Sequence, residues 1–248
     1  QLYLDSISGV ENVIGTIGND SIKGDDAANR LEGLGGEDEL YGGANDDILV
    51  GGLGNDILSG DAGSDTIDYS YLTGTGERVG VLLSLNQAYE ITGDGTFTDE
   101  LHGIENVIGS QGMDLIGGDR FANHLDGQGG DDLISGGQGN DVLIGGFGSD
   151  TLRGNEGKDT VDYSYLDLIG GRVYIDLDQG FAQERNARGN SLSSDTLSSI
   201  ENVIGTSGND YIVGDSANNI LNGLAGNDYF DSGIGFDFID GGSGFDIV

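Results

Sequence analysis

In three uninterrupted stretches of this chain, an apolar residue returns at every ninth position, each time two places after an Asp or Asn. The unit is G-G-x-G-x-D-x-U-x, with U large and apolar, and it is written seventeen times. Units begin at Gly15, Gly24, Gly33, Gly42, Gly51 and Gly60. They begin again at Gly109, Gly118, Gly127, Gly136, Gly145 and Gly154, and a third time at Gly205, Gly214, Gly223, Ser232 and Gly241. A short turn feeding a short strand explains each position. Glycine reaches positive φ without penalty, so the turn coils tightly and points successive carbonyls at one spot. The Asp behind them adds charge, and carboxylate with carbonyl oxygens is the donor set of a hard cation such as Ca²⁺. In the strand that follows, side chains alternate, so the eighth residue turns inward and its neighbours outward. One inward residue per unit cannot form a core, and stability requires coil stacked on coil. A flexible tail rich in Gly and Asp would have no reason to keep that apolar period.

Charge points the same way. Forty-four Asp and Glu face nine Lys and Arg, a formal charge of −35 on 248 residues. Such a chain repels itself when compact, and about eight calcium ions would cancel roughly half of the excess. Folding is therefore expected to depend on metal, with a largely disordered metal-free chain. The same sign of charge disfavours nucleic acid and anionic membranes as partners, and no run is long enough for a membrane span. Cysteine is absent, so no disulfide framework enters the argument.

The nonapeptide resembles the repeat of RTX, or haemolysin-type calcium-binding, proteins. The resemblance implies an all-β fold: a parallel β-roll, a right-handed calcium-binding β-solenoid with two nonads per coil and Ca²⁺ held between turns two nonads apart. It then implies that Asp20, Asp38 and Asp56 share one edge and Asp47 and Asp65 the other. The second block would use Asp114, Asp132 and Asp150 with Asp141 and Asp159; the third, Asp210, Asp228 and Asp246 with Asp237. Backbone carbonyls of Gly33, Gly36, Gly51, Gly54, Gly127, Gly130, Gly145, Gly148, Gly223 and Gly226 would complete the sites. The second nonad of each block departs from the pattern, with Ala27 and Asn29, Phe121 and Asn123, and Ala217 and Asn219 replacing Gly and Asp. Sites that join those turns to Asp47, Asp141 and Asp237 are expected to be weak, leaving roughly eight sound ones.

Two related inserts interrupt the period. The division expected is a return strand at 1–14, roll blocks at 15–68, 109–162 and 205–248, and β inserts at 69–108 and 163–204. Each insert opens on Asp-Tyr-Ser-Tyr-Leu, runs through an alternating strand from Arg78 or Arg172 and a polar, glycine-containing stretch, and closes on a return strand ending Ile-Glu-Asn-Val-Ile. A β-hairpin or small sheet is expected there. The full period is thus 94 to 96 residues, and the chain reads as an excerpt of a longer array with neighbouring repeats as partners. Tyr69 with Tyr71, and Tyr163 with Tyr165, are read mainly as cover for the end of the roll, against an aromatic platform for sugars.

Catalysis finds little footing: His102 and His124 have no nucleophile beside them, and no G-x-S-x-G elbow occurs. Two readings stay open. The chain is a calcium-folded segment of a large secreted or cell-surface bacterial protein of adhesin or toxin type, or it is a non-catalytic module binding acidic polysaccharide. Tyr163, Tyr165, Arg172 and Arg185 would line the groove in the second case.

Overall fold

The computed structural model describes residues 9–248, so residues 5–8, the start of the opening return strand, lie outside it. Nearly all regular structure is β. Successive nonads send their strands alternately to two facing sheets. Ser21–Lys23, Glu39–Ala44 and Ile57–Ala62 go to one sheet, and Arg30–Gly35, Ile48–Leu53 and Thr66–Asp68 to the other. Pairing within a sheet is parallel at a spacing of 18 residues, as in Ser21↔Glu39 and Arg30↔Ile48, so two nonads make one coil. The chain is a parallel β-roll throughout its three blocks.

The eighth residues stack between the sheets. Leu31, Leu40, Leu49, Leu58, Ile67, Ile116, Leu125, Ile134, Leu143 and Ile212 are completely buried, while Ile22 and Ile239 at the two ends are only partly covered. Each fully buried residue contributes about 1.5–3 kcal/mol of apolar transfer, which no single coil could collect alone. Within the nonads, the buried sixth-position acids lie at the turns, and in the inserts Glu90, Asp99, Glu184 and Asp195 are buried on strands.

Glycine is indispensable where coils touch. Gly54 and Gly148, fourth in their nonads, have φ of +158° and +152°, and a methyl on either would collide with the carbonyl of Gly36 or Gly130 one coil earlier. At the second position the same left-handed bend is taken by Leu34, Gln128 and Leu224, with φ of 66–78°. Those turns therefore carry backbone strain that a glycine would relieve.

The inserts are built into the roll. One sheet has eleven strands and the other fourteen, because each insert adds three strands to one sheet and one to the other. In the first insert Arg78–Leu82, Gln87–Thr92 and Gly95–His102 form an antiparallel meander. Its last strand pairs parallel with Ile57–Ala62, and its first with Leu115–Gly117 of the next block. Arg172–Asp176, Phe181–Arg185 and Ser191–Ser198 repeat this in the second insert. The middle strands, 87–92 and 181–185, occupy the polar stretch from which no strand was expected, since each buries a Glu where an apolar residue would signal the period. The return strand also breaks in two. Gly103, at φ 56°, turns the chain so that Asn106–Ile108 joins the opposite sheet. Among the described residues no helix is long and apolar enough to cross a membrane.

Truncating one stacked core residue should be felt across several coils. Leu143→Ala is expected to cost about 2–5 kcal/mol; Leu53→Ala, on a side chain 41% exposed, should cost about 0.5 kcal/mol or less. Urea unfolding of both variants in saturating calcium checks this, and equal midpoints would contradict the stacked core.

Candidate calcium ladders

Along each edge of the roll the sixth-position acids form a hydrogen-bonded ladder. The backbone N–H of Asp20 donates to Asp38 Oδ1 and that of Asp38 to Asp56 Oδ1, both at 2.8 Å. On the opposite edge Asn29 N–H donates to Asp47 Oδ1 at 2.7 Å and Asp47 N–H to Asp65 Oδ1 at 2.8 Å. The second block repeats this from Asp114 through Asp132 to Asp150, and from Asn123 through Asp141 to Asp159. In the third block Asp210 reaches Asp228, Asp228 reaches Asp246, and Asn219 reaches Asp237. One carboxylate oxygen is thereby fixed by the preceding coil, and the question becomes what the other oxygen does.

For nine acids it does nothing within the protein. Oδ2 of Asp38, Asp47, Asp56, Asp65, Asp132, Asp141, Asp150, Asp159 and Asp228 is buried without a hydrogen-bond partner among the described residues. Each turns toward the first glycine of its own nonad. A methyl on Gly33 would overlap both Asp38 Oδ2 and the Gly51 carbonyl, and one on Gly127 would meet Asp132 Oδ2 and the Gly145 carbonyl. Buried ionised oxygens left unpaired are expensive. Converging carboxylate and carbonyl oxygens around a space that excludes even a methyl group match the hard oxygen shell that calcium takes, so the residues present fit the ion.

The remaining acids differ. Thr16, Ser110 and Thr206 stand second in the first nonad of each block, and their backbone N–H groups donate to Oδ2 of Asp20, Asp114 and Asp210, each at 2.6 Å. Their hydroxyls add a second bond to the same carboxylate. Val79 and Val173, at the start of the inserts, donate their N–H to Oδ1 of Asp114 and Asp210 at 2.7 and 2.8 Å. These three turns are therefore satisfied internally. In the second nonads Asn29, Asn123 and Asn219 accept through Oδ1 from the N–H of Asp25, Asp119 and Asp215; Nδ2 of Asn123 and Asn219 donates to the Glu105 and Glu201 carbonyls, while that of Asn29 is buried without a partner among the described residues. Asn45, at a glycine position, adopts φ 67° and ties its side chain to the Asp26 carbonyl. Asp237 and Asp246 are half-buried in the last coils.

The inserts continue the ladders with residues that the nonad pattern does not flag. Asp56 N–H donates to Asp99 Oδ1 and Asp150 N–H to Asp195 Oδ1, both at 3.0 Å. Glu105 and Glu201 receive Asp65 and Asp159 in the same way at 2.9 Å. The signal was present: counted back from Gly109 and Gly205, Glu105 and Val107, and Glu201 and Val203, fall at the sixth and eighth places of a shortened nonad. Fifth-position side chains add a parallel ladder, as from Glu37 N–H to Asn19 Oδ1 and from Lys158 N–H to Asn140 Oδ1, at 3.0 Å each.

The tyrosines of the inserts turn inward. Tyr69 and Tyr163 are 1% exposed and donate to Asp99 Oδ2 and Asp195 Oδ2 at 2.8 Å. Tyr71 and Tyr165 donate to Glu90 and Glu184. Tyr71 and Tyr165 stay partly exposed; Tyr165 lines a surface pocket with Phe147 and Leu168 that does not include Arg172 or Arg185, which stand opposite each other on adjacent strands.

A profile of the RTX calcium-binding nonapeptide repeat, in four copies, matches residues 7–40, 41–70, 108–143, 135–164 and 204–239. The chain belongs to the RTX calcium-binding repeat family. Among solved structures it is similar to the extracellular lipase LipA from Serratia marcescens, at 16% identity and a TM-score of 0.25 over 79% of this chain. It spans 39% of that lipase. No curated protein matches.

Burial raises the ladder carboxyls, and neighbouring carboxylates push most of them further. Asp132 rises to about 9, Asp56, Asp150 and Asp210 to about 7, and Asp65, Asp141 and Asp228 to about 6. Without metal the folded chain holds protons that the unfolded chain releases near pH 4. Its stability is therefore greatest below about pH 4 and is lost as pH rises through 6 to 9. In chelator, far-UV circular dichroism should show more β structure at pH 4.5 than at pH 8. Calcium should be needed at lower concentration at pH 8 than at pH 4.5, because fewer protons compete. Equal β content at both pH values in chelator would contradict a desolvated carboxylate ladder.

Proposed function

We propose that this chain is a calcium-folded β-roll segment of a larger secreted or cell-surface bacterial protein, unfolded where calcium is scarce and folded after export. The observation that carries this reading is the set of nine buried Asp oxygens without partners, stacked coil above coil. With calcium removed, those oxygens and a formal charge of −35 oppose the compact state; with calcium bound, they are its ligands. On this reading each ion lies between turns two nonads apart. The free oxygens of Asp38, Asp47, Asp56, Asp65, Asp132, Asp141, Asp150, Asp159 and Asp228 carry the sites, glycine carbonyls complete them, and Asp20, Asp114, Asp210, Asp237 and Asp246 bound them. The segment supplies conditional folding and length to its parent protein and no catalysis of its own.

A calcium titration of the chelator-treated chain, with magnesium as control, tests this. A cooperative gain of β signal with Ca²⁺ and none with Mg²⁺ is expected, since the flexible oxygen shell suits the larger ion. A β-rich spectrum that chelation leaves unchanged would remove the folding switch. The ligand assignment has its own test. Asp132→Ala, which deletes a carboxylate shared by two stacked turns, should raise the calcium midpoint about ten-fold or more, because ligand charge sets affinity. Asp178→Ala, in the turn of the second insert, should leave it unmoved.

A further inference from the structure

Each insert buries a trio of carboxylates where it meets the preceding block. In the second insert Asp150, Glu184 and Asp195 each place one oxygen within 4.8 Å of the other two. All three are at least 98% buried. Asp150 is the last nonad Asp on its edge of the block, Asp195 lies on the last insert strand, and Glu184 lies on the middle strand, outside every nonad. Asp56, Glu90 and Asp99 take the same places in the first insert, 94 to 96 residues earlier, equally buried but less tightly gathered.

The protein's own donors satisfy these groups only in part. Tyr163 Oη serves Asp195, and Glu184 accepts from Tyr165 Oη at 2.5 Å and Ser193 Oγ at 2.6 Å. Asp150 Oδ2 has no partner among the described residues. The first insert has Phe97 where the second has Ser193, and there both Glu90 Oε2 and Asp56 Oδ2 are orphaned. None of the ion pairs found among the described residues includes any of the six acids. Three carboxylates gathered away from water repel one another unless a positive charge joins them. Oxygens bound to one Ca²⁺ at 2.3–2.6 Å lie no more than about 5 Å apart, which is the spread seen in the second insert.

We propose that each insert holds a calcium ion of its own, one at Asp150, Glu184 and Asp195 and one at Asp56, Glu90 and Asp99. The ion clamps the middle insert strand to the roll through a glutamate that the nonapeptide does not encode. This rests on the calcium reading of the nonads and adds two sites to it.

The test is the number of ions bound per chain, by equilibrium dialysis against Ca²⁺ with metal analysis, for the wild-type protein and the Glu90→Gln/Glu184→Gln double variant. The variant is expected to bind two fewer ions while keeping the β signal of the roll in saturating calcium. An unchanged count overturns the proposal and leaves the trios sharing protons. If the variant does not fold, wild-type crystals grown with Tb³⁺ decide the matter. An anomalous peak between Asp150, Glu184 and Asp195 supports the site, and peaks confined to the nonad turns overturn it. Failure of the wild-type chain to take up any calcium would instead overturn the reading of the nonads themselves.

Discussion

Everything in this fold turns on a carboxylate that is held by one oxygen and left free at the other. The backbone N–H of the preceding coil fixes Oδ1 of each sixth-position Asp, which sets the rise from coil to coil and turns Oδ2 into the bend. A neutral side chain could make the first contact without penalty. Asp makes it at the cost of a desolvated charge, so the compact state is favourable only when that charge is met. On the calcium reading proposed above, metal dependence is a property of the hydrogen-bond ladder itself and needs no separate switch element.

The apolar interior sets shape as well as adding stability. One Leu, Ile, Val or, at Phe230, Phe per nine residues fills a two-sheet interior whose width suits one side chain from each face. Tyrosines are admitted where the repeat is interrupted. Tyr69 and Tyr163 are completely buried at the inserts, with their hydroxyls spent on Asp99 and Asp195. The extra strands of each insert widen one face, and the tyrosines fill the interior beneath them.

The roll was legible because its determinants are periodic and local. Spacing alone placed the eighth residues inside, and the resemblance supplied the 18-residue pairing that the sheets display. What the period could not show lies in the inserts. The middle strands bury Ala88 with Glu90 and Ala182 with Glu184 on their inward faces, so the inward row carries no large apolar residue to mark a strand. The return strand read as continuous because Leu101 and Val107 are both apolar and only six residues apart. That spacing marks a nonad shortened by a tight corner at Gly103. The tyrosine pairs share spacing with a surface platform, and only the carboxylates brought to them by the meander reveal that they point inward.

These features give every block a direction. A block opens on a turn closed by its own Thr or Ser hydroxyl, then on one closed by Asn, and neither leaves a carboxylate oxygen stranded. The stranded oxygens accumulate in the later coils and reach the insert, where Asp99 and Glu105, or Asp195 and Glu201, take the last rungs. The start of a block can therefore form its turns on hydrogen bonds alone, while its end cannot form without added positive charge. Because the insert pairs with both the finished block and the next one, order gained at the charged end passes directly to the metal-independent turns of the neighbour. A chain of such units couples its blocks through the inserts, and the carboxylate-rich junctions are where calcium has the greatest leverage over the whole.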